Sequence, residues 1–383
     1  MTPVEAGDDG PLGLYVHIPF CEAKCSYCHF AIDPRRPDAA RQDRYLAALL
    51  REVEAAPSGR ADTLYFGGGT PSLLAEDRLA RLIEALRARF RLPADAEVTV
   101  ECNPRDLDVD GFRALAKAGA NRASLGLQHL SDAVLAEMGR LHAAADGLRA
   151  VEQARAAGFS NLSVDLLLGW PNETASRWDR VLEGVLAEPP EHVSVYVLEV
   201  EGRTLLSHRA QRGTLRLPPD DLVADLYELT VARFAEAGLD RYEISNFARR
   251  GFESRHNGKY WDDQPFLGFG LSAHSYRDGR RFWNRDTFVA YCEGIETAGS
   301  ALAGERRLSP GERIQEALFT GLRRRDGIEL DAFERRYRVA PLRDLEPKLR
   351  DALGAGLLEQ RAGRLRLTPR GALLSNEVFQ ALV

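Results

Sequence analysis

The chain has 383 residues, 44% of them hydrophobic and 28% charged, with a formal net charge of −6. That balance belongs to a soluble globular protein with room for one large domain and a smaller one. The acidic excess argues against nucleic acid as the main partner. Met1 to Gly10 is acidic and lacks an apolar core, so it does not read as a secretory signal. No run approaches the ~18 apolar residues that span a bilayer. We therefore expect a cytoplasmic protein without an integral membrane segment.

From Leu12 to about Val200 short β-rich runs alternate with amphipathic stretches. The first strand, Leu14–Ile18, runs into Cys21-Glu-Ala-Lys-Cys25-Ser-Tyr27-Cys28. Three of the five cysteines thus fall within eight positions, which reads as metal ligation rather than a disulfide framework. Three thiolates can hold three irons of a cubane and leave the fourth iron open to a ligand. A zinc knuckle completed by His29 is the alternative, but adjacent Cys28 and His29 are awkward ligands for one tetrahedral ion.

A helix over Arg41–Glu54 leads to a second strand, Thr63–Phe66, which opens into Gly67-Gly68-Gly69-Thr70-Pro71. Glycines at a strand's C-terminal end let backbone groups approach a ligand closely. After the Asp77–Arg89 helix, Glu97–Glu101 puts a carboxylate at the end of the third strand. Val109–Lys117 is helical, and Arg122–Leu127 leads to Gln128. Arg140 lies one short helix further on and is suited to a ligand carboxylate. The Ala143–Ala157 helix precedes Leu162–Leu168, an apolar strand that contains Asp165; a buried carboxylate there must be paired or functional. A helix over Ala175–Ala187 and a strand over His192–Leu198 complete six units. Such alternation implies parallel strands whose C-terminal ends share one mouth, in a partial barrel or a doubly wound sheet.

The next stretch, 201–300, is less regular. From 301 onward Glu312–Arg324, Asp331–Tyr337 and Leu342–Ala355 read as helices. Leu357–Gln360 and Arg364–Thr368 follow as a hairpin across Ala362-Gly363, with a last helix after Pro369. This resembles a winged helix, and its mixed charge favours a lid or partner-docking module over one for DNA. We divide the chain into 12–200, 201–300 and 301–383.

Cys-x3-Cys-x2-Cys followed by Gly-Gly-Gly-Thr-Pro resembles the radical S-adenosylmethionine superfamily, in its oxygen-independent coproporphyrinogen III oxidase-like branch. The resemblance implies an α/β fold, a partial (β/α)6 barrel with a mostly helical C-terminal domain. It implies a [4Fe–4S] cluster on Cys21, Cys25 and Cys28, whose open iron S-adenosylmethionine chelates. Tyr15, Tyr27, Gly68, Gly69, Thr70, Glu101, Gln128, Arg140 and Asp165 match positions lining nucleoside-cofactor sites in that branch. The family's chemistry is reductive cleavage of the sulfonium to a 5′-deoxyadenosyl radical.

Two features place the chain nearer the branch's heme chaperone group than the oxidases. The oxidases add a cysteine where this chain has Phe30, and only 14 residues precede Tyr15, which leaves little room for their N-terminal extension. Residues His256-Asn257-Gly-Lys-Tyr260-Trp261 also resemble the chaperone signature. His256 is the candidate iron ligand, and Tyr260 and Trp261 offer flat faces to a porphyrin. A core histidine among packed aromatics is the plainer reading of the same residues. His274, in Gly268-Phe-Gly-Leu-Ser-Ala-His274, is a second candidate for heme or cofactor. The implied cargo is heme, the implied partners are heme-accepting respiratory proteins and an electron donor for the cluster, and no catalytic residue is assigned. Coproporphyrinogen oxidation or a two-S-adenosylmethionine methyl transfer is the enzymatic alternative. Cys102 and Cys292 read as ordinary small buried residues, and His17 as an anchor for the cysteine loop.

Overall fold

The computed structural model describes residues 10–35, 37–200, 202 and 204–382. The acidic stretch before Gly10 and the expected start of the second region at Glu201 lie outside the described residues. Six strands lie side by side in chain order, all parallel: β1 (Leu12–Ile18), β2 (Ala61–Gly68), β3 (Glu97–Cys102), β4 (Arg122–Gln128), β5 (Leu162–Leu168) and β6 (His192–Val197). Helices fill the connections: α1 (Ala39–Ala55), α2 (Glu76–Phe90), α3 (Val109–Lys117), α4 (Asp132–Met138), α5 (Ala144–Ala156) and α6 (Ala175–Ala187). Leu79, Leu82, Ile83 and Leu86 of α2 are buried, as their spacing of three and four requires. The architecture is the partial (β/α)6 barrel.

The second region extends this sheet rather than standing apart. Following α7 (Leu205–Gln211) and α8 (Asp220–Glu236), β7 (Asp240–Arg241) and β8 (Asn246–Ala248) add antiparallel strands beyond β6. The helix α9 (Arg255–Trp261) then leads to β9 (Phe266–Phe269), which pairs in parallel with β1 at the opposite edge. Beyond β9 come β10 (His274–Arg277), β11 (Arg280–Asn284), α10 (Phe288–Ala298) and β12 (Leu302–Arg307). Glycines hid β9 from a propensity reading. A Cβ at Gly268 would sit 2.3 Å from the carbonyl oxygen of His274, so the crossing of β10 demands glycine in the strand.

The C-terminal segment has a core of its own, including Leu318, Leu322, Phe333, Leu349, Leu365 and Phe379. It begins with α11 (Pro310–Leu322), started by a Ser309–Glu312 capping box with Pro310 in the first turn. Next come β13 (Ile328–Glu329), α12 (Leu330–Tyr337), α13 (Pro341–Asp344), α14 (Glu346–Gly354), β14 (Leu358–Arg361), β15 (Arg364–Leu367), α15 (Pro369–Leu373) and α16 (Ser375–Leu382). The hairpin turns at Ala362 and Gly363, both at positive φ (49° and 75°), as a twisted two-residue turn requires. β13, two residues long, pairs with β15 and completes the small sheet. No described helix is long and apolar enough to cross a membrane.

Candidate functional site

The cysteine loop leaves the C-terminal end of β1 and is pinned on several sides. His17 Nε2–H donates to the carbonyl of Ala31 at 2.7 Å, on the far side of the loop, which leaves Nδ1 to accept from the Tyr15 hydroxyl at 3.1 Å. The Ser26 N–H donates to Met138 O at the end of α4, and the Ser26 carbonyl accepts from Leu206 N–H of α7, both at 2.8 Å. The Cys21 N–H donates to Asp33 O. Burial pushes the Cys21 thiol up to about 11 and raises Cys28 as well. These thiols are therefore protonated until a metal or another strong positive charge displaces the proton.

The glycine run fits directly beneath that loop. Gly69 N–H donates to Ile18 O at 2.8 Å, and a Cβ on Gly69 would come within 2.6–2.7 Å of the Phe20 and Pro19 carbonyl oxygens. Gly68 takes φ of 112°, open to glycine alone at low cost. Thr70 Oγ1 lies 3.4 Å from Cys21 Sγ and accepts from Asn103 Nδ2 at 2.9 Å. Two strand ends thus hold one another before any ligand is considered.

Across the mouth, the Glu101 carboxylate accepts from the Tyr65 hydroxyl (2.8 Å) and from Gly68 N–H (3.3 Å). Burial, with the Asp165 carboxylate second, pushes Glu101 up to about 7. Burial also raises Asp165, which accepts from Ser124 Oγ at 3.4 Å. Gln128 sits at φ 65° where the β4–β5 register shifts, so a bulge aims it off the sheet. Arg140 is held by Asn103 Oδ1 (2.7 Å) and Gly126 O (2.8 Å), its Nη1 lies 3.8 Å from Cys25 Sγ, and its buried Nε has no partner.

The raised Glu101 gives a testable pH dependence. Its folded pKa lies above the ordinary 4.5, so between those values the folded chain keeps a proton that the unfolded chain has lost. Its contribution to stability therefore falls as pH rises through that window. Glu101→Gln cannot ionise. Its stability relative to cofactor-free wild type is expected to improve by about 1–3 kcal/mol between about pH 5 and about pH 8, read by urea unfolding. A difference that does not vary with pH would mean that Glu101 ionises normally.

One cavity of about 1070 Å³ collects these groups. Cys21, Cys25 and Cys28, Tyr27, Gly68, Gly69, Thr70, Glu101, Gln128, Arg140 and Asp165 all line it, as do Tyr196, Tyr260 and Trp261 further along. Tyr27 packs edge-on to Trp170 at 6.1 Å. Tyr15 is not on the wall: it stacks on Tyr65 at 6.3 Å and serves His17, one layer behind the mouth. Its expected contact with a nucleoside becomes a supporting role.

The α9 segment also departs from expectation. Asn257, Tyr260 and Trp261 reach the cavity, whereas His256 is 1% exposed and absent from its wall. His256 Nδ1 pairs with Thr63 Oγ1 (2.9 Å), Nε2 pairs with the Tyr260 hydroxyl (2.8 Å), and the ring stacks on Tyr65 at 5.2 Å. Burial, then the Lys259 charge, pushes its pKa down to about 3, so the ring is neutral. Thr63 lies five residues before Gly68 on β2, about 16 Å along the strand from the mouth. In this arrangement His256 is a core residue with both nitrogens engaged, and no iron can reach it. His274 is exposed on β10, stacked on Trp283 at 5.9 Å, and also lies off the cavity wall. The histidine beside the cysteines is His29, which lines the rim against Phe30.

Residues 15–184 match the family described as the Radical SAM superfamily, and residues 308–374 match the HemN C-terminal domain. The chain is 36% identical to "Heme chaperone HemW" of Bacillus subtilis over 96% of its length and 98% of the relative's. It is 38% identical to "Heme chaperone HemW" of Mycobacterium tuberculosis over 97% of this chain and 95% of the relative's. The chain belongs to the HemW family of radical SAM proteins. Its fold matches Escherichia coli coproporphyrinogen III oxidase (HemN) with a TM-score of 0.84, covering 99% of this chain and 91% of that one, at 24% identity.

The residues of this HemW family member fit the cluster and S-adenosylmethionine that the radical SAM domain implies. The fit rests on three thiols on a loop with pinned ends, all lining one cavity, and on the orphaned buried Nε of Arg140, whose Nη1 lies 3.8 Å from Cys25 Sγ. No three described His, Cys, Asp or Glu side chains converge on a single ion, and a cubane, with one thiolate per iron, needs no such convergence. Sequence reasoning missed Asn103, which joins Thr70 to Arg140. It lies two positions after Glu101, where the strand-end rule that singled out Glu101 did not reach. Glu97 was passed over as well; its carboxylate accepts the N–H groups of Arg255 and His256 at 2.9 Å and so fixes the start of α9.

Proposed function

We propose that this protein is a heme chaperone of the radical SAM type that delivers heme to respiratory enzymes. Cys21, Cys25 and Cys28 hold a [4Fe–4S] cluster. Gly68, Gly69, Thr70, Glu101, Gln128, Arg140 and Asp165, with Tyr27 beside them, hold S-adenosylmethionine. Heme occupies the rest of the cavity, against Tyr260 and Trp261. The observation that carries this reading is the single cavity, which runs from the three cysteines to those aromatic residues. Its volume is at the upper end for small-molecule sites, enough for a cofactor and a flat cargo together. Relatives that bear the name heme chaperone over nearly the full length support the same reading.

A cluster held by Cys21, Cys25 and Cys28 would supply one electron for cleavage of the sulfonium, with an electron donor to replenish it. This chain's own part is placement. Arg140, braced by Asn103 and Gly126, offers its free Nε–H to a carboxylate. Glu101, near half-protonated at neutral pH, can accept from a ribose hydroxyl or donate to one. The cysteine loop, packed on the glycine run through the Gly69 N–H bond to Ile18 O, fixes where the three thiolates would present the iron.

The test is titration of anaerobically reconstituted protein with hemin, followed by absorption. Saturable binding is expected, weakened by roughly tenfold in Trp261→Ala, which removes a flat contact face. Failure of the wild type to bind hemin would sink the reading. Formation of protoporphyrinogen and carbon dioxide from coproporphyrinogen under reductant would instead make the protein an oxidase.

A further inference from the structure

Away from the cysteines, the cavity wall holds a second concentration of polar groups that the radical chemistry does not use. Three segments meet there: the end of α11, the 242–246 loop and the end of α9. The Ile244 N–H donates to Arg323 O (3.1 Å), and the Arg325 N–H donates to Tyr242 O (3.0 Å). Arg324 forms an ion pair with Asp262 at 2.5 Å, next to Trp261. Each of the three segments presents cavity-lining side chains with buried atoms that have no hydrogen-bond partner: Arg323 Nε, Trp261 Nε1, Asn246 Oδ1 and Glu243 Oε2.

Unpaired buried polar atoms are costly, and a cluster of them on one cavity wall marks a place where a ligand completes the pairing. The donors decide the ligand's chemistry. The Arg323 guanidinium carbon lies over the Trp261 ring, 4.7 Å from its centroid, a cation–π contact that uses none of the guanidinium N–H groups, and Nε is buried without a partner. Among the described residues it donates no side-chain hydrogen bond and forms no ion pair, unlike Arg324 beside it. Trp261 Nε1–H can only donate. Two neighbouring unused N–H donors, one of them cationic, match a carboxylate. Glu243 is the opposing charge, but burial raises its pKa and its Oε1 already accepts from Asn246. The Arg323 guanidinium has five N–H groups and Trp261 one more, against two unpaired acceptors, Glu243 Oε2 and Asn246 Oδ1, so donors remain at this wall for a ligand to use.

We propose that Arg323, supplied by the C-terminal segment, recognises a carboxylate arm of the cargo and makes this end of the cavity selective for carboxylated planar macrocycles. The inference rests on the heme reading above and goes further, because it assigns the C-terminal segment a part in choosing the cargo. The macrocycle lies against Tyr260 and Trp261, and a propionate reaches the guanidinium edge.

The experiment compares hemin with its dimethyl ester on the full-length reconstituted protein. Wild type is expected to bind hemin about 10- to 100-fold more tightly than the ester, the usual worth of a charge-assisted hydrogen bond. Arg323→Ala should lose that preference by binding hemin less well while holding the ester as wild type does. Arg323→Lys, which keeps the charge without the planar fork, should recover part of it. An unchanged ester affinity separates recognition from a merely structural role, since a collapsed wall would weaken both probes. Equal binding of hemin and ester by wild type, or a preference that survives in Arg323→Ala, overturns the inference and leaves the heme reading standing. Wild type that binds neither probe overturns both.

Discussion

Cys25→Ser, purified and reconstituted without oxygen, is expected to retain almost none of the roughly four irons per chain expected of the wild type. The reason lies in the loop. Cys25 lies beside Ser26, whose N–H and carbonyl bind it to α4 and α7, so its sulfur cannot be replaced by sliding the backbone. A serine hydroxyl does not ionise near neutral pH and is a poor ligand for iron. Cys21→Ser and Cys28→Ser should behave alike, because each holds one iron. Two cysteines provide the control. Cys102 is 4% exposed and reaches the cavity wall, and Cys292 is fully buried in α10. Substituting either by Ala should leave iron and sulfide content unchanged. The folded state of Cys25→Ser should survive, since Cys25 is only half-buried and belongs to no hydrophobic core. Full iron content in Cys25→Ser, or its loss in Cys102→Ala, would overturn the ligand assignment.

The sequence showed the mouth better than the walls, for a physical reason. Residues at the C-terminal ends of parallel strands follow one rule of placement. Finding β1 to β5 was therefore enough to bring Cys21, Gly69, Glu101, Gln128 and Asp165 together, and the structure does so. Six strands and five of the intervening helices could be read because their apolar periods are long and regular. The extensions of the main sheet were hidden because β7 and β8 are two or three residues long and β9 is interrupted by glycine, and β13 of the small sheet is as short. Nothing local says that residues 266–269 pair with β1, some 250 positions earlier. Likewise α9 carries a motif whose residues point in two directions. His256 points into the core and bonds the Tyr260 hydroxyl from behind, while Asn257, Tyr260 and Trp261 line the cavity. A motif read as one functional unit is split by helical geometry into a buried histidine and presented neighbours.

That split yields the second large effect. His256→Ala is expected to destabilise the protein by about 3–5 kcal/mol. The substitution strands the hydroxyls of Thr63, fully buried, and Tyr260, and it opens a void beside the Tyr65 ring on which His256 stacks. It also removes a wedge between α9 and the start of β2, leaving Glu97, Lys259 and Arg255 as the polar ties between α9 and the strand starts. Lys259 pairs with Asp62 at 2.7 Å and donates to Pro11 O at 2.7 Å. Chemical denaturation measures the loss directly. Trp261→Ala, by contrast, should cost far less stability while weakening hemin binding, because its side chain faces the cavity. The two variants thus separate a scaffold residue from a contact residue within one six-residue motif. If His256→Ala kept wild-type stability and instead changed the axial-ligand absorption of bound hemin, α9 would have to open on binding. His256 would then be an iron ligand after all, released from Thr63 and Tyr260 by the heme itself.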